Sequence, residues 1–345
     1  MKKEKMKRVL FHRQFTGYYG GTSGGQIKVR DCFEHILASE GFIPKVYFNP
    51  KTLWFDNPGN VWSSYRNTKH EVKVWDILTD DLLFFAGSDW NILNENERNN
   101  PPVPIINIVH PRHCRNTDIR KDFLKYPAIR ITKSSLSKKI IEEHGVNGPL
   151  FVIPDALDPK DLPPINQSPD FDILIVGLKN PGMAKQIYRR LKWRNFFKRR
   201  KLKIALQTPP KLPTRRDFLD LLNNSKMVVY LPLEEKYGHE GFYLPALEGM
   251  FLKKLVICPN VTGNVDFCIS NKTCLMPEYT TESILDKVDI ALSMSSQEFD
   301  KIINQAYQIT KNHHLSLEQE KLIELLKEVD FIWSQKDLFS EQKNK

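Results

Sequence analysis

Short apolar runs alternate along the chain with longer stretches that carry apolar residues at helical spacing. Arg8-Val9-Leu10-Phe11 reads as a strand, Gly17 to Gly25 as a glycine-rich loop, and Ile27 to Leu37 as a helix with Ile27, Phe33, Ile36 and Leu37 on one face. Gly41 stops that helix, and Lys45-Val46-Tyr47-Phe48 returns as a strand, which completes a βαβ unit. Asp81-Leu82-Leu83-Phe84-Phe85, Ile105-Ile106-Asn107-Ile108-Val109, Ile129-Arg130-Ile131-Thr132 and Phe151-Val152-Ile153 follow. They are short and mostly apolar, as strands buried on both faces of a parallel sheet must be.

Residues 154–170 hold five prolines, too many for a helix or a central strand, so this segment reads as a linker. A second alternating pattern starts beyond it: Phe171 to Val176, Leu202 to Leu206, Met227 to Leu231 and Leu255 to Cys258 are its strands, with helical stretches between. Ser316 to Phe339 closes the chain as a helical stretch with Leu322, Ile323, Leu325, Leu326, Val329 and Ile332 as its apolar stripe. Two α/β halves joined by a proline-rich hinge put a cleft between them, where ligands of such sheets usually bind.

Length agrees with this division, because 345 residues exceed what one core usually sustains. Cys32, Cys114, Cys258, Cys268 and Cys274 are scattered without a C-x-x-C pair, so neither a zinc knuckle nor a disulfide framework is expected, and a cytoplasmic setting fits. The basic start, Met1 to Arg8, is followed by no signal-peptide apolar core, and no run is long enough to span a membrane.

The net charge of +10 is local. Residues 185–203, KQIYRRLKWRNFFKRRKLK, carry ten basic residues and no acidic one, which leaves the remainder near neutral. Such a run is often a solvated helix face. With Trp193, Phe196 and Phe197 interleaved it also suits peripheral contact with an anionic membrane at its inner, cytoplasmic face, or an acidic acceptor. The same field would attract nucleic acid, the less favoured partner.

The densest chemistry lies in His239-Glu240-Gly241-Phe242-Tyr243-Leu244-Pro245-Ala246-Leu247-Glu248-Gly249-Met250. Pro245 suits the first turn of a helix, so residues 240–244 form the loop into it and Glu248 ends that turn. A helix start with Gly241 beside it is a ready diphosphate site, and a carboxylate at 248 can accept two hydrogen bonds from a vicinal diol such as a ribose. The structural alternative is that Glu248 complements the helix dipole and Glu240 is a surface charge.

Taken whole, HEGFYLPALEGMFLKKLVICPNVTGNVDFC resembles the signature region of the retaining family-4 glycosyltransferases: two glutamates eight positions apart around G-F-x-L-P-x-L-E, then a strand and a G-N loop, here Gly263-Asn264. The resemblance implies an α/β chain of GT-B type, with two Rossmann-like domains facing each other across a cleft. Residues 1–158 would be the acceptor domain, joined by the C-terminal helix 325–345, and residues 159–324 the nucleotide-sugar donor domain. It implies that Glu240 contacts the donor sugar and Glu248 the ribose, with Gly241, Phe242, Tyr243 and Leu244 near the diphosphate.

Support from the first half is of the same kind. Gly20-Gly21-Thr22-Ser23-Gly24-Gly25 occupies the position of the family's glycine-rich loop, with Gly24 and Gly25 expected near the donor. Its spacing is not G-x-G-x-x-G, which argues against a nicotinamide site. His110, after the strand ending at Val109, resembles in position a histidine lining the reaction centre. A structural role at a strand end is its alternative.

The chain departs from the pattern where relatives place an arginine and a lysine for the diphosphate. Here the stretch is Gly177-Leu178-Lys179-Asn180-Pro181-Gly182-Met183-Ala184-Lys185, so Lys179 and Lys185 are the candidates and Arg215 or Arg216 the substitutes. The D-x-D match Asp170-Phe171-Asp172 leads into a strand instead of ending one, so no metal is expected, and no cofactor beyond the nucleotide-sugar substrate. The expected reaction is metal-independent, retaining transfer of a sugar to a hydroxyl on a glycan or lipid-linked acceptor, in surface polysaccharide or glycoconjugate synthesis. The alternatives are a nucleotide-sugar epimerase or inverting transferase of the same fold, a nucleic-acid-binding protein using residues 185–203, and a non-catalytic partner subunit.

Overall fold

The computed structural model describes residues 6–16, 24–54, 60–234 and 239–339, and the glycine-rich stretch from Gly20 to Ser23 lies outside them. The chain divides into two compact units, Met1–Lys133 with Ser137–Ile153 and Glu318–Lys345, and Ser134–Leu136 with Pro154–Leu317. Among the described residues no helix is long and apolar enough to cross a membrane.

In the first unit the strands are β1 (Lys7–Arg13), β2 (Phe42–Phe48), β3 (Glu71–Val72), β4 (Leu82–Ala86), β5 (Ile105–Ile108), β6 (Ile129–Thr132) and β7 (Leu150–Val152). They form one parallel sheet in the order β3-β2-β1-β4-β5-β6-β7. Its α-helices are α1 (Gly24–Leu37), α2 (Glu95–Asn99) and α3 (Ser135–His144). Alternate residues of β1 and β4 enter separate cores. Val9, Phe11, Leu82 and Phe84 pack with Val29, Phe33 and Ile36 of α1, while Leu10, Leu83 and Phe85 pack with Trp90, Phe123 and Tyr126. Burial on both faces is why these strands read as continuous apolar runs.

The second unit has a four-stranded parallel sheet of β8 (Phe171–Val176), β9 (Ile204–Gln207), β10 (Ser225–Tyr230) and β11 (Leu255–Ile257), in the order β11-β10-β8-β9. Its helices are α4 (Pro181–Phe197), α5 (Arg215–Asn223), α6 (Leu244–Phe251), α7 (Thr281–Ser293) and α8 (Ser296–Thr310). Leu174, Val176, Val228 and Tyr230 face α5 and α6, and Ile173, Ile175, Met227 and Val229 face α4 and α7. Helices on both faces of a parallel sheet make each unit Rossmann-like. Capping fixes the helix starts: Asn180 accepts from the Met183 amide before Pro181, and Thr214 and Ser295 form capping boxes with Asp217 and Glu298.

The chain ends in α9 (Leu315–Lys327) and α10 (Val329–Ser334), with Glu328 between them instead of one unbroken helix. Leu322, Leu325, Leu326 and Val329 belong to the core that holds α1. A buried charge cluster ties the two together. Lys28 on α1 donates to Glu318 at 2.6 Å and to Asp31 at 2.8 Å, and Lys133 lies 3.7 Å from Glu318. Burial opposes ionisation of Glu318, but Lys28, His35 and Lys133 outweigh it and hold its carboxyl well below the usual carboxylate range.

Several expected boundaries move. α1 begins at Gly24, not Ile27, and β2 begins at Phe42, not Lys45. Strand β3 is only two residues long and carries no apolar pattern. Because α6 starts at Leu244, Glu248 is its fifth residue and sits past the first turn.

Candidate functional site

The site is set by strand order. In the second unit the chain passes from β8 to β9 on one side and returns to β10 on the other, so the sheet has its topological switch point between β8 and β10. Loops leaving the carboxyl ends of two such strands diverge and leave a crevice, the usual ligand position in open α/β sheets. The loop after β8 carries Lys179 and the loop after β10 carries Glu240, and the two meet there. Lys179 Nζ donates to Glu240 Oε1 at 2.7 Å and to Oε2 at 2.9 Å. The Leu233 amide also donates to Glu240 Oε1, at 2.9 Å. Glu240 is buried, whereas 47% of the Lys179 side chain remains exposed, so the lysine is the partner free to turn toward a ligand.

Glycines shape both loops. A Cβ at Gly177 would stand 2.1 Å from the Cβ of Ala184, so only glycine lets α4 pack this close to the end of β8 and bring Lys179 to the crevice. A Cβ at Gly263 would stand 2.8 Å from the backbone N and Cα of Phe242. That close approach lets the Gly263 carbonyl accept from the Tyr243 amide at 2.8 Å. Asn264 holds the supporting turn, with its Oδ1 accepting from the Val261 amide and its Nδ2 donating to the Pro259 carbonyl. His239 Nδ1 lies 2.9 Å from Thr262 Oγ1. The loop of residues 239–243 is thus braced from Pro259 to Asn264.

Glu248 is buried on α6 and pairs with Arg215, the first residue of α5, at 2.7 Å. Burial raises its pKa above the usual carboxylate range, and the Arg215 charge opposes that rise. Tyr243 caps α6 and Leu244 begins it, with Pro245 in its first turn, so this helix start lies directly after the braced loop. Phe242 packs against Phe267 and His313 rather than standing in the open.

The candidates therefore divide. Lys179 and Glu240 are brought together, Gly241 to Leu244 lead from them into α6, and Glu248 follows with Arg215 as its partner. Arg216 pairs instead with Asp220 one turn along. Lys185 lies further along α4, exposed and without an ion pair among the described residues. Asp172 is at the opposite, amino-terminal end of β8, where Lys226 Nζ and the Lys203 amide donate to it.

In the first unit, Gly24 and Gly25 form the exposed start of α1, and a Cβ at either would meet nothing within 4 Å. His110 caps a short 3-10 turn, Pro111–Cys114, its Nδ1 accepting from the Arg112 amide at 3.1 Å. Beside it His113 is buried, which drives its pKa down to about 3, with Arg120 adding to the shift.

Sequence reasoning passed over His12, Arg13 and Asp89. They join the ends of β1 and β4, between which the first sheet has its own switch point. Arg13 donates to Asp89 at 2.7 Å and to Gln26, and His12 Nδ1 lies 3.2 Å from Asp89. All three are buried. The available signal was a basic pair ending one apolar strand and an aspartate just beyond the next-but-two, which only the strand order makes neighbours.

No family model and no curated protein matches the chain. Solved structures do match its fold. Sucrose-phosphate synthase from Thermosynechococcus elongatus superposes with a TM-score of 0.67 at 12% identity, over 94% of this chain and 99% of that one. Anabaena HepE in complex with UDP-glucose gives 0.67 at 12% identity, over 93% and 99%. A glycosyltransferase from Rickettsia africae ESF-5 gives 0.62 at 16% identity, over 94% and 98%. At these identities the likeness is one of fold: the chain has the α/β architecture of two Rossmann-like domains that these GT-B proteins share.

Proposed function

We propose that the protein transfers a sugar from a nucleoside-diphosphate donor to a hydroxyl acceptor, with the donor held at the β8/β10 switch point. The observation that carries this reading is the Lys179–Glu240 pair across that crevice, with α6 starting beside it. Lys179 turns from Glu240 to the departing phosphate, and the α6 start adds the positive end of its dipole. Glu240, relieved of its lysine, accepts from the hydroxyls of the donor sugar. Glu248 accepts from the ribose diol, with the Arg215 charge opposing the rise in pKa that burial imposes on it.

In the reaction the bond between the anomeric carbon and the phosphate oxygen breaks, a bond to the acceptor oxygen forms, and the acceptor proton passes to the departing phosphate. Retention follows the resemblance of residues 239–268 to the retaining family-4 enzymes. Metal independence is supported by Asp172, which lies at the wrong end of β8 and is occupied by Lys226. A glycan or lipid-linked hydroxyl in polysaccharide or glycoconjugate synthesis is the acceptor class.

Because HepE was solved with UDP-glucose, uridine nucleotides head the donor panel. The test is thermal stabilisation across nucleoside diphosphates and nucleotide sugars. At a concentration of 100 Kd the true donor adds about 2.7 kcal/mol. No stabilisation by any nucleotide overturns the reading. NMR of the product's anomeric configuration separates retaining from inverting transfer, and a released free epimer would identify an epimerase.

A further inference from the structure

The basic segment after Lys179 folds as α4 and the turn that follows it, and seven of its ten cations fall into two sets. Arg190 pairs with Glu282, while Arg194, Lys198 and Arg200 gather on Asp289. These four hold α4 to α7. Lys185, Arg189 and Lys192 have no ion pair among the described residues, and Lys192 Nζ lies 5.6 Å from the Tyr188 ring.

Helical spacing puts these three cations with Trp193 and Phe196 on one stripe, at positions i, i+4, i+7, i+8 and i+11. The stripe lies opposite Ala184, Ile187 and Leu191, which are buried against the sheet. Its aromatic residues and the adjoining Phe197 are largely open: Trp193 is 65% exposed, Phe196 78% and Phe197 61%. They cluster, with the Trp193 and Phe197 rings 4.4 Å apart and the Phe196 and Phe197 rings 5.4 Å apart. Gln186, Arg189, Arg190 and Trp193 line a shallow open depression beside them.

From this juxtaposition of three unpaired cations and three clustered, exposed aromatic rings on the outer face of α4, we propose that this face docks onto an anionic lipid surface. The cations meet lipid phosphates at headgroup level and the aromatic cluster enters the interface below them. Single-stranded nucleic acid would share the charge complementarity, but it calls for ring faces open to stacking. Here neighbouring rings cross at 55° and 87° and partly cover one another. Docking would also bring the crevice at Lys179, one residue before the α4 cap, within about the 25 Å length of a 17-residue helix of the lipid. The proposal stands on α4 alone, independently of the chemistry assigned to the crevice.

The test is flotation of the full chain with vesicles of phosphatidylcholine alone and of phosphatidylcholine with phosphatidylglycerol, at low and physiological salt. Binding is expected only to the anionic vesicles and weaker at the higher salt. It should fall more than tenfold in R189E/K192E, whose charges are reversed, and in W193S/F196S/F197S, whose rings are removed. Both variants change exposed residues, and their unfolding midpoints are expected to match the parent. Nucleotide stabilisation should also persist in both, so a failure here is distinguishable from a failure of the donor site. The proposal is overturned if anionic vesicles do not bind the parent, if either variant binds undiminished, or if a single-stranded oligonucleotide competes the protein off and binds through the same residues.

Discussion

Arg215 and Glu248 allow a sharp test of how the second unit keeps a charge inside. Glu248 has 5% of its side chain exposed, and among the described residues its ion pair is with Arg215 at 2.7 Å. Replacing Arg215 with methionine keeps most of the stem and removes the charge. Two unit charges about 4 Å apart interact by about 4 kcal/mol at an effective dielectric near 20. Because 34% of the Arg215 side chain is exposed, solvent screens part of this, and about 1–3 kcal/mol is the expected loss at neutral pH. For a unit of this size that lowers the melting midpoint by roughly 2–12 °C.

The pH dependence carries the diagnosis. The Glu248 pKa is raised by burial, so the folded carboxyl holds its proton more tightly than the unfolded one. Stability is then lost as pH climbs from the ordinary carboxylate range through the raised value. Without Arg215 that rise is larger, so the gap between R215M and the parent should widen from about pH 5 to about pH 8. Adding E248Q to R215M removes the uncompensated charge and should recover most of the loss, since replacing both partners of a buried pair is far milder than removing one. Thermal melts of the four proteins at both pH values complete the cycle. Equal melting of R215M and the parent at both, or no recovery in the double variant, refutes the account of Glu248 as a charge held by Arg215.

Three other predictions follow from the same geometry. E240Q should bind nucleoside diphosphate within a fewfold of the parent and lose at least tenfold in sugar transfer, while K179M should weaken both, as titration and product assays would show; undiminished transfer by E240Q removes that residue from the reaction. G263A forces a Cβ into the Phe242 backbone and should displace the loop of residues 239–243, costing about 1–3 kcal/mol and weakening nucleotide binding, although it touches neither carboxylate, as calorimetry would show. E318Q removes the buried carboxylate charge that Lys28 shares with Asp31 and that lies beside Lys133, and should cost about 3 kcal/mol, with faster proteolysis near Leu315. Because the Glu318 pKa is depressed, the parent itself should lose this stabilisation as pH falls below the ordinary carboxylate range, and the gap between parent and E318Q should narrow there.

Much of the scaffold can be read from local pattern. Strands buried on two faces, such as Leu82 to Phe85 and Ile173 to Val176, announce themselves as apolar runs, and the observed strands β4 and β8 fall on them. Errors fall where local chemistry is silent. Glu71–Val72 pairs at a sheet edge and needs no apolar run, and Gly24-Gly25 poorly favours the helix that the packing of α1 imposes. At the crevice, the order His239 to Met250 announces a loop followed by a proline-started helix, and α6 occupies that place.

What only the tertiary structure decides is partnership. Lys179 and Glu240 are 61 residues apart, and neither position predicts the other. They meet because β8 and β10 are neighbours at a switch point, a property of strand order and not of any window of sequence. The same holds for Arg215 with Glu248, for Arg13 with Asp89, and for the division of the ten cations of residues 185–203 into four that bind α7 and others that face outward. Hydrophobic periodicity reports which face of an element is buried. Which charges then face one another depends on how several elements stack, and the sequence expresses that only once it is folded.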